Sequence, residues 1–513
     1  MSSEKSSKVK EINNVLCIGS GYVGALTMTI FANKHPSTNF YIFDVFKPLI
    51  DKWNSVTKDP NTLPIVEKDL FEPFNAVFNK NLLFISEITD EILLKTDLIF
   101  VCVNTPSITN YKYGTDLSIE EIGKILNAGI ELSMDNVYKC VKDLTKRIIS
   151  LDIEGNKMRN KIFIQKSTVA IMTLEHLHKL VHDTYKEQNS TLTQDQIDEK
   201  ISLVNIPEFL AEGTAISNLL NPDRVVIGHI RNNAFSKKAA DKMKHFYLPF
   251  VPENKIIQFD SISSEMTKLV SNAFLAQRIS SINTISELCE KTKANIHSIS
   301  TSVGSDSRIG KTYLKASMGF GGSCFKKDIL SLIFLLNSMD LKIQANYWSQ
   351  VLLMNEYQRL RICKKVFDSS KNKPIAILGL AFKGNVGDVR CSNSVFLLSY
   401  LLNQKSEVRL YDPYSTISDL KMELKVYDND KNPVYNYENL VIYRDIKECV
   451  KNCSVCVFVN DHDEFKNISL DEISKQMDNT NQTIFDLFNN FSLDELSKHN
   501  FKIFKLGEFD GTI

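Results

Sequence analysis

The sequence predicts an α/β protein with two Rossmann-like, doubly wound domains joined by a central helical domain. Apolar strand-like runs alternate with helical patterns as far as residue 260, and the pattern is almost wholly helical from 261 to 369. Strand-like runs return after that region. A chain of 513 residues also exceeds what one hydrophobic core usually organises. We therefore expect three domains, at residues 1–260, 261–369 and 370–513.

The first domain opens with a βαβ unit. NNVLCIGS reads as a buried strand, GYVGALTMTIFANKH as a helix and NFYIFDV as a second strand. Four more strand-like runs follow, at LLFI (82–85), DLIFVCV (97–103), KIFIQKS (161–167) and SLVNI (202–206). Because helical patterns separate several of these runs, we expect a mostly parallel sheet. Polar segments at 109–118 and 185–200 interrupt the alternation. The second is typical of a surface loop or the tip of a helix, and both fit insertions on the surface of the domain.

The remaining two domains differ in the period of their apolar residues. Helical runs cover 266–292 and 327–367, on either side of a glycine-rich break. From Lys373 onward, helical intervals separate the strand-like runs PIAILGL, EVRLYDP, LVIY, SVCVFVN, QTIFDLF and FKIFKLG. The last region is therefore predicted to be a second, smaller Rossmann-like domain.

The composition excludes several classes of function. Lys and Arg together number 61, as do Asp and Glu, so no global field attracts nucleic acid. No run reaches the roughly 18 to 20 apolar residues that a membrane span needs, and the polar N-terminus lacks the apolar core of a signal peptide. Among the ten cysteines only Cys453 and Cys456 have C-x-x-C spacing, so the paired C-x-x-C clusters typical of structural zinc are not formed. We expect a cytoplasmic protein with no metal site and with neither a nucleic-acid nor a membrane partner.

A glycine-rich turn predicts a cofactor site. Residues 19–24, GSGYVG, match G-x-G-x-x-G between a strand and a helix, where glycine permits a tight turn and lets backbone approach a pyrophosphate. Asp44 ends the next strand, where a carboxylate accepts hydrogen bonds from a ribose diol and repels a 2′-phosphate. NAD is therefore favoured over NADP. A turn without a ligand is the alternative, but the order of strand, glycines, helix, strand and acid favours the cofactor.

A second glycine-rich segment contains a candidate nucleophile. KASMGFGGSCFKKD at 315–328 places Cys324 directly before a helical run. A thiolate at a helix N-terminus is stabilised by the helix dipole and by neighbouring cations. Taken alone, however, a cysteine beside glycines is more often a small packing residue, and the segment could be a turn between helices.

Two polar pairs add to this candidate chemistry. Glu208 and Glu212 are four residues apart in PEFLAEG, on one face of the segment if it is helical, and such carboxylates can order a water or a sugar hydroxyl. Lys268 and Asn272 are also four apart, on an otherwise apolar helical run. A solvated lysine is the alternative interpretation of Lys268.

A series of motifs runs through nearly the whole chain in a fixed order. The motifs are GSGYVG (19–24), LPIVE (63–67), VNTP (103–106), KSTV (166–169), PEFLAEGTAI (207–216), NPDRVVIG (221–228), NAFLAQRIS (272–280), FGGSCFKKD (320–328) and LAFKGNVGDVR (380–390). Together they resemble the UDP-glucose 6-dehydrogenase family, within the nucleotide-sugar dehydrogenase superfamily. Chance agreement of so many motifs is negligible.

The resemblance implies a four-electron oxidation of UDP-glucose to UDP-glucuronate with NAD, through a thiohemiacetal and a thioester on Cys324. Such a product would supply polysaccharide or glycoconjugate synthesis. The catalytic residues that it implies are Cys324, Lys268, Asp328, Glu208, Thr168 and Asn272. Lys268 would stabilise an oxyanion, and Asp328 with an ordered water would take the hydroxyl proton. Glu208 would assist thioester hydrolysis, and Thr168 would help to position the water.

The resemblance also implies two sets of binding residues. The cofactor set is Gly19, Ser20, Gly21, Tyr22, Val23, Gly24, Asp44, Val103, Asn104, Thr105, Pro106, Ser167, Thr168, Glu212, Lys327 and Arg390. The nucleotide-sugar set is Glu208, Phe209, Leu210, Ala211, Glu212, Lys268, Asn272, Arg308, Tyr313, Lys315, Gly319, Phe320, Gly321, Phe325, Phe382 and Lys383. Because the central helices dimerise in the family, a homodimer or a larger even homo-oligomer is expected.

The chain departs from the family pattern at three places. Leu49, with Lys47 nearby, stands where the family often has an arginine after the ribose-binding acid. Phe488, in the segment 486–489, replaces an arginine that contacts the nucleotide sugar of a neighbouring subunit in relatives. The segment 460–463 reads NDHD where the family usually has threonine, glutamate and tryptophan.

Three alternative functions stay open on sequence alone. The nearest is a four-electron dehydrogenase of the same superfamily that acts on GDP-mannose or a UDP-N-acetyl sugar. A second is a nucleotide-sugar-binding protein without catalysis, which the replacement by Phe488 motivates. The third is a two-electron dehydrogenase, which would share the cofactor motif but would not need Cys324.

Overall fold

The computed structural model of the protein describes residues 12–108, 117–153, 155, 160–188, 190–415, 417–424, 437–480, 482–492, 496, 498–499 and 501–508. The chain divides into two compact units. Unit 1 comprises Met1–Ile108 and Leu132–Lys268, and unit 2 comprises Thr109–Glu131 and Leu269–Ile513. The boundary between Lys268 and Leu269 falls inside a long helix, Ser261–Thr292.

Strands and helices alternate through most of the chain. The strands are β1 (Asn14–Ile18), β2 (Asn39–Phe43), β3 (Leu82–Ile85), β4 (Leu98–Val101), β5 (Lys161–Gln165), β6 (Ile201–Asn205), β7 (Val225–His229), β8 (Ile256–Asp260), β9 (Ile375–Leu378), β10 (Val408–Tyr411), β11 (Leu440–Tyr443), β12 (Val455–Phe458), β13 (Thr483–Asp486) and β14 (Lys502–Lys505). The helices are α1 (Tyr22–Lys34), α2 (Lys47–Asn54), α3 (Phe71–Val77), α4 (Asp90–Lys95), α5 (Ile119–Ala128), α6 (Asp135–Ile153), α7 (Thr173–Glu187), α8 (Gln194–Lys200), α9 (Ala215–Leu220), α10 (Ala234–Tyr247), α11 (Ser261–Thr292), α12 (Ile296–Ser305), α13 (Phe325–Ser338), α14 (Lys342–Ser370), α15 (Asn393–Asn403), α16 (Ile417–Leu424), α17 (Ile446–Val450), α18 (Asp463–Lys466) and α19 (Leu470–Gln476).

Unit 1 contains a sheet of strands β1 to β8 in the order β3-β2-β1-β4-β5-β6-β7-β8. Its neighbouring strands are parallel except for β6 and β7, which are antiparallel. Val15 and Cys17 of β1 pack in one apolar cluster, and Leu16 and Ile18 pack in another. Helices therefore cover both faces, which explains the unbroken apolar run of β1. The strand order reverses between β1 and β4, where open α/β sheets bind their ligands.

Unit 2 contains a second sheet and a group of helices. Strands β9 to β14 lie in the order β11-β10-β9-β12-β13-β14, and all neighbouring pairs are parallel. Ile122 of α5, Ile329 of α13 and Leu352 of α14 share an apolar core with residues of α11. The predicted fold class, with two doubly wound sheets and a helical region, is thus confirmed. No described helix is both long enough and apolar enough to cross a membrane.

The structure specifies two local interpretations, and a third lies outside the described residues. The segment 185–200 contains the end of α7 and helix α8, and most of its described residues are exposed, but Tyr185 and Ile197 are buried in a core of unit 1. The segment after β6 is not helical before Ala215, since the Glu208 carboxylate accepts a hydrogen bond from the Leu210 N–H two residues later. Such local side-chain bonds compete with helical ones. Most of the predicted insertion at 109–118, namely 109–116, is not among the described residues.

Candidate active site

The glycine-rich turn after β1 excludes a side chain at two positions. Gly19 has a φ of +111°, and a Cβ there would lie 2.4 Å from the carbonyl oxygen of Cys102. A Cβ on Gly24 would lie 2.0 Å from the carbonyl oxygen of Gly19. Gly21, at the N-cap of α1, is different, because a Cβ there meets no atom within 4 Å. Gly19 and Gly24 are thus required by the turn itself, whereas Gly21 leaves space beside the helix N-terminus.

Asp44 follows β2 directly, and its carboxylate is anchored to this turn. Its Oδ2 accepts hydrogen bonds from the backbone N–H of Ser20 at 2.8 Å and from the Ser20 hydroxyl at 3.1 Å. Its Oδ1 accepts one from the N–H of Phe46 at 2.9 Å. The carboxylate is therefore held in one orientation at the end of β2, where it repels a 2′-phosphate.

A cavity of about 870 Å³ lies beside the turn, in the size range of ligand-binding clefts. Five predicted cofactor residues line it: Gly19, Gly21, Asp44, Val103 and Asn104. Leu49 also lines it, so part of the wall is apolar where an arginine was expected from the family pattern. Sequence reasoning missed Cys102, Asn136, Lys139 and Arg147, which complete much of the lining. The turn, the oriented acid and the cavity together fit a dinucleotide.

The segments that follow β4 and β5 are hydrogen-bonded to each other. The Thr105 hydroxyl donates to the carbonyl oxygen of Thr168 at 2.7 Å, and the Ser167 hydroxyl donates to that of Val103 at 2.6 Å. The structure therefore brings the VNTP and KSTV motifs together at the carboxyl ends of two adjacent strands. Four predicted cofactor residues meet there.

A buried ion pair joins the PEFLAEG segment to α11. Lys268 Nζ donates to Glu208 Oε1 at 2.9 Å, and the two side chains are only 5% and 10% exposed. Glu208 Oε2 accepts the Leu210 N–H at 2.7 Å. Burial alone would raise the pKa of Glu208, but the Lys268 ammonium and the Leu210 N–H together hold the pKa below its usual value. Glu208 is therefore a carboxylate at neutral pH.

A second buried lysine acts on the same carboxylate. Lys166 lies one residue before the predicted cofactor residue Ser167, and its Nζ donates to the carbonyl oxygen of Pro207 at 3.4 Å. Burial lowers the pKa of Lys166 to about 8, although the nearby Glu208 carboxylate works in the opposite direction. Sequence reasoning missed Lys166, because its burial depends on contacts between distant segments.

Glu67, in the LPIVE motif, holds the end of the PEFLAEG segment. Its carboxylate accepts the N–H groups of Gly213 at 2.7 Å and Ala215 at 2.8 Å, at the start of α9. It also accepts the hydroxyl of Tyr22, and burial together with Glu67 raises the pKa of that phenol. Tyr22, predicted from the glycine motif, is thus linked to the segment that carries Glu208.

In unit 2, Cys324 occupies the N-cap of α13 and is exposed. The loop before it is built from glycines that admit no Cβ. Gly319 has a φ of +132°, with an added Cβ 2.5 Å from Asn355 Oδ1, and a Cβ on Gly321 would lie 2.7 Å from the Cys391 carbonyl oxygen. Gly322 has a φ of +81°. These glycines let the loop pass close to its neighbours and present Cys324 at the helix N-terminus.

Polar side chains of α14 clamp the same loop. Arg359 is buried and donates to the carbonyl oxygens of Phe320 at 2.7 Å and Cys391 at 2.9 Å. Asn355 accepts the Phe320 N–H at 2.8 Å and donates to its carbonyl at 3.2 Å. Asn393, from α15, donates to the Gly319 carbonyl at 2.7 Å. Sequence reasoning missed all three clamping residues, which lie well beyond the glycine motif in the chain.

Asp328, one turn into α13, is bound to α11. It is buried, and its Oδ2 accepts a hydrogen bond from Asn272 Nδ2 at 2.6 Å. Its backbone N–H donates to the carbonyl oxygen of Cys324 at 2.9 Å. Asn272 and Asp328, each predicted separately as a catalytic residue, therefore meet within unit 2, on the first turn of the helix that begins after the cysteine.

The other predicted contacts of unit 2 are more dispersed. Arg308 and Arg390 are exposed, and each makes a bidentate ion pair with the aspartate two residues before it, Asp306 and Asp388. The ring of Phe325 packs edge-on against Phe320, and the Phe382 ring lies against Gly322. Lys315 Nζ lies 5.6 Å from the centre of the Phe488 ring, and Tyr313 is partly exposed, 6.2 Å from Phe325 between ring centres. Lys327 and Lys383 are half-buried.

In unit 1, the predicted substrate residue Phe209 lies under the guanidinium of Arg224, 4.0 Å from its ring centre. Leu210, Glu212 and Val23 are half-buried, and Ala211 and Pro106 are exposed. Their exposed or half-buried positions leave these residues accessible from solvent.

Three domains of one known protein family match successive parts of this chain. Residues 13–251 match the NAD binding domain of the UDP-glucose/GDP-mannose dehydrogenase family. Residues 262–357 match its central domain, and 376–492 match its UDP binding domain. The chain belongs to the UDP-glucose/GDP-mannose dehydrogenase family. The predictions of this family and of NAD as the cofactor are confirmed.

Individual relatives agree with the family assignment. The chain is 36% identical over 479 residues to UDP-glucose 6-dehydrogenase 3 of Oryza sativa subsp. japonica, and the match covers 90% of each chain. It is 37% identical over 475 residues to UDP-glucose 6-dehydrogenase of Pongo abelii, and that match covers 91% of this chain and 87% of the relative.

Solved structures share the fold. A UDP-glucose dehydrogenase of Pyrobaculum islandicum matches with a TM-score of 0.75 and 23% identity, over 97% of this chain and 98% of that one. A UDP-D-ManNAc dehydrogenase of Pyrococcus horikoshii matches with a TM-score of 0.70 and 21% identity, over 97% and 100%.

Proposed function

We propose that this chain oxidises UDP-glucose to UDP-glucuronate with two NAD and one water, through a thiohemiacetal and then a thioester on Cys324. The observation that carries the proposal is the placement of Cys324. It is an exposed thiol at the N-terminus of α13, presented by a glycine loop that α14 clamps in place. A two-electron dehydrogenase would not need such a nucleophile.

The proposed chemistry uses groups with suitable charge. Asp328, held by Asn272, takes the hydroxyl proton through an ordered water as the alcohol becomes an aldehyde. The Cys324 thiolate forms a C–S bond to the aldehyde carbon, and the Lys268 ammonium stabilises the resulting oxyanion. A second oxidation leaves a thioester. Water, assisted by the Glu208 carboxylate, then attacks the thioester and breaks the C–S bond.

Thr168 supports this last step in the proposal by helping to position the water. NAD supplies the hydride acceptor, and oxidation of an alcohol to a carboxylate needs two of them. The residues that would hold it are those of the glycine turn, Asp44 and the segments after β4 and β5. The space beside Gly21 and the cavity of about 870 Å³ support that assignment.

The remaining contact residues are proposed from the family resemblance. Lys327 and Arg390 join the cofactor set, and Arg308, Lys315 and the pair at 382–383 join the nucleotide-sugar set. Cationic side chains can neutralise a diphosphate, which supports their inclusion. We propose domain boundaries at 1–260, 261–369 and 370–513, a cytoplasmic location, and a homodimer or larger even homo-oligomer.

A substrate panel tests the proposal. Purified protein is mixed with NAD and, separately, with UDP-glucose, GDP-mannose or UDP-N-acetylmannosamine, and NADH is followed by its absorbance. We expect turnover with UDP-glucose that is at least tenfold faster than with the other two. Faster turnover with GDP-mannose or with the N-acetyl sugar would overturn the substrate assignment. Binding of nucleotide sugar without NADH formation would favour a non-catalytic protein.

A further inference from the structure

Two histidines and one aspartate converge in unit 1, and the proposed reaction assigns a role to none of the three. His178 and His182 lie four residues apart on α7, so they share one helix face. Asp198 lies on α8 and is buried, with its side chain 9% exposed. One ligand atom from each of the three lies within 4.8 Å of the other two. No metal site was expected from the cysteine spacing, but this cluster contains no cysteine.

The hydrogen-bond geometry of this cluster leaves a conflict. His178 Nε2 and His182 Nε2 each lie 2.7 Å from the same atom, Asp198 Oδ1. His178 Nε2 also lies 3.3 Å from the amide nitrogen of Asn233. If His178 Nε2 carries a hydrogen, it can donate to the Asp198 carboxylate but cannot accept from the Asn233 amide. If Nε2 carries no hydrogen, its lone pair faces the lone pairs of the Asp198 carboxylate. Neither protonation state of His178 satisfies both neighbours.

The orientation of Asn233 is fixed, so it does not resolve the conflict by rotating. Its Oδ1 accepts the Ser236 N–H at 2.8 Å as the N-cap of α10, and its Nδ2 therefore points toward the cluster. Nδ2 donates to Asp198 Oδ2 at 2.7 Å. This bond turns the other carboxylate oxygen, Oδ1, toward both histidines. Outer hydrogen bonds of this kind orient the ligands of metal sites.

We propose that His178 Nε2, His182 Nε2 and Asp198 Oδ1 bind one divalent transition-metal ion of the zinc class. A cation accepts the lone pairs of both imidazoles and of the carboxylate at once, so no hydrogen on His178 Nε2 faces the Asn233 amide, which donates instead to Asp198 Oδ2. Zinc bonds to nitrogen and oxygen are about 2.0 to 2.2 Å, so tetrahedral donors lie about 3.3 Å apart. The observed separations of 2.7 Å need to open by about half an ångström.

The donor set also selects the ion and the fourth ligand. Two imidazole nitrogens favour zinc, copper, nickel or cobalt over magnesium and calcium, which prefer oxygen ligands. The His178 side chain is 26% exposed, which gives the ion a path from solvent and room for a water as fourth ligand. The ion would join α7 and α8 and, through Asn233, the N-terminus of α10. Its role is therefore to fasten these helices.

The test uses the full-length protein after chelation and dialysis, without an affinity tag. Zn²⁺ is titrated by calorimetry into the wild type and into His178→Gln, Asp198→Asn and His176→Gln. His176 is an exposed residue of the same helix outside the cluster, so its variant is the matched control. We expect one ion per chain in the wild type and the control, and an affinity at least tenfold weaker in the other two. Equal affinity in all four proteins would overturn the proposal.

Cobalt provides a measurement that needs no variant. Co²⁺ added to the metal-free wild type is expected to give the intense visible absorption of tetrahedral coordination, saturating at one equivalent and displaced by Zn²⁺ but not by Mg²⁺. The unfolding temperature of the wild type is expected to rise with Zn²⁺. Absence of a saturable Co²⁺ spectrum would overturn the proposal and leave the cluster as a hydrogen-bonded contact. None of these readouts depends on dehydrogenase activity.

Discussion

Replacing Lys268 with methionine tests the electrostatics of the candidate site. The substitution keeps most of the length of the side chain but leaves the buried Glu208 carboxylate without its ammonium partner at 2.9 Å. Breaking a buried ion pair typically costs about 3 to 5 kcal/mol. Because Leu210 still donates its N–H to Glu208 and Lys166 still attracts it, we expect the lower end, about 3 kcal/mol.

The matched variants are Glu208→Gln and the double substitution of both residues. The amide introduced by Glu208→Gln keeps an acceptor for the Leu210 N–H, so the double variant is expected to lose about 3 to 4 kcal/mol rather than the sum of the two losses. Glu208→Gln alone is expected to cost about 3 kcal/mol. The two single losses of about 3 kcal/mol each therefore exceed the loss in the double variant by about 2 to 3 kcal/mol, which is the coupling energy. Because the Glu208 pKa is lowered in the folded state, this stabilisation is present above the unfolded value near 4.5 and is lost as pH falls through the lower, folded value.

Tryptophan fluorescence during urea unfolding provides the assay. The chain has two tryptophans, and Trp53 is fully buried in unit 1, which also contains the ion pair. In a Trp348→Phe background, Trp53 alone reports on unfolding. A coupling energy below about 0.5 kcal/mol, within the error of additivity, would refute the inferred burial and pairing.

Three other substitutions test separate parts of the site. Gly21→Ala should leave the midpoint of unfolding unchanged but weaken NAD binding, measured by calorimetry, at least tenfold. Gly19→Ala should lower both the midpoint and the affinity for NAD, because its Cβ would lie 2.4 Å from the Cys102 carbonyl oxygen. Equal midpoints for the two variants would contradict the turn geometry. Lys166→Met removes an ammonium whose pKa is about 8 in the folded protein and 10.5 when unfolded. The stability of the wild type relative to the variant, measured by urea titration, should therefore rise by up to about 3 kcal/mol between pH 8 and 10.5. A constant difference would show that Lys166 is not buried as described. Arg359→Met should reduce kcat more than tenfold, because two loop carbonyls lose their hydrogen-bond donor. Arg359→Lys should restore less than half of the lost activity. Full activity in the methionine variant would show that the clamp does not contribute to catalysis.

The sequence predicted the sheets and the cofactor turn because both depend on local patterns. The strand at Asn14–Ile18 is apolar at every position but the first, which is typical of a strand covered on both faces. Gly19 and Gly24 are required by contacts within the turn and with the adjacent strand, so a short motif was enough to identify them.

Features that the local pattern did not reveal depend on side-chain contacts, some of them between distant segments. Asp198 reads as a surface residue in a polar stretch, yet it is buried against His178 and His182 of the preceding helix. Likewise, Glu208 and Glu212 have helical spacing, but the Leu210 N–H bonds to the Glu208 carboxylate instead of continuing a helix.

The supporting residues of the site were beyond sequence reasoning for the same reason. Arg359 and Asn355 hold the cysteine loop from a helix that lies further along the chain, and Lys166 is distinguished by its burial rather than by a motif. Their roles follow from the packing of long-range neighbours, which composition and periodicity do not encode.

The most direct test of the proposed function is the ratio of NADH to UDP-glucuronate at completion, measured for the wild type, Cys324→Ser and the nearby control Cys391→Ser. The account predicts two NADH per UDP-glucuronate for the wild type and the control, and loss of turnover in Cys324→Ser. One NADH per product, or undiminished UDP-glucuronate formation by Cys324→Ser, would contradict the four-electron cysteine mechanism.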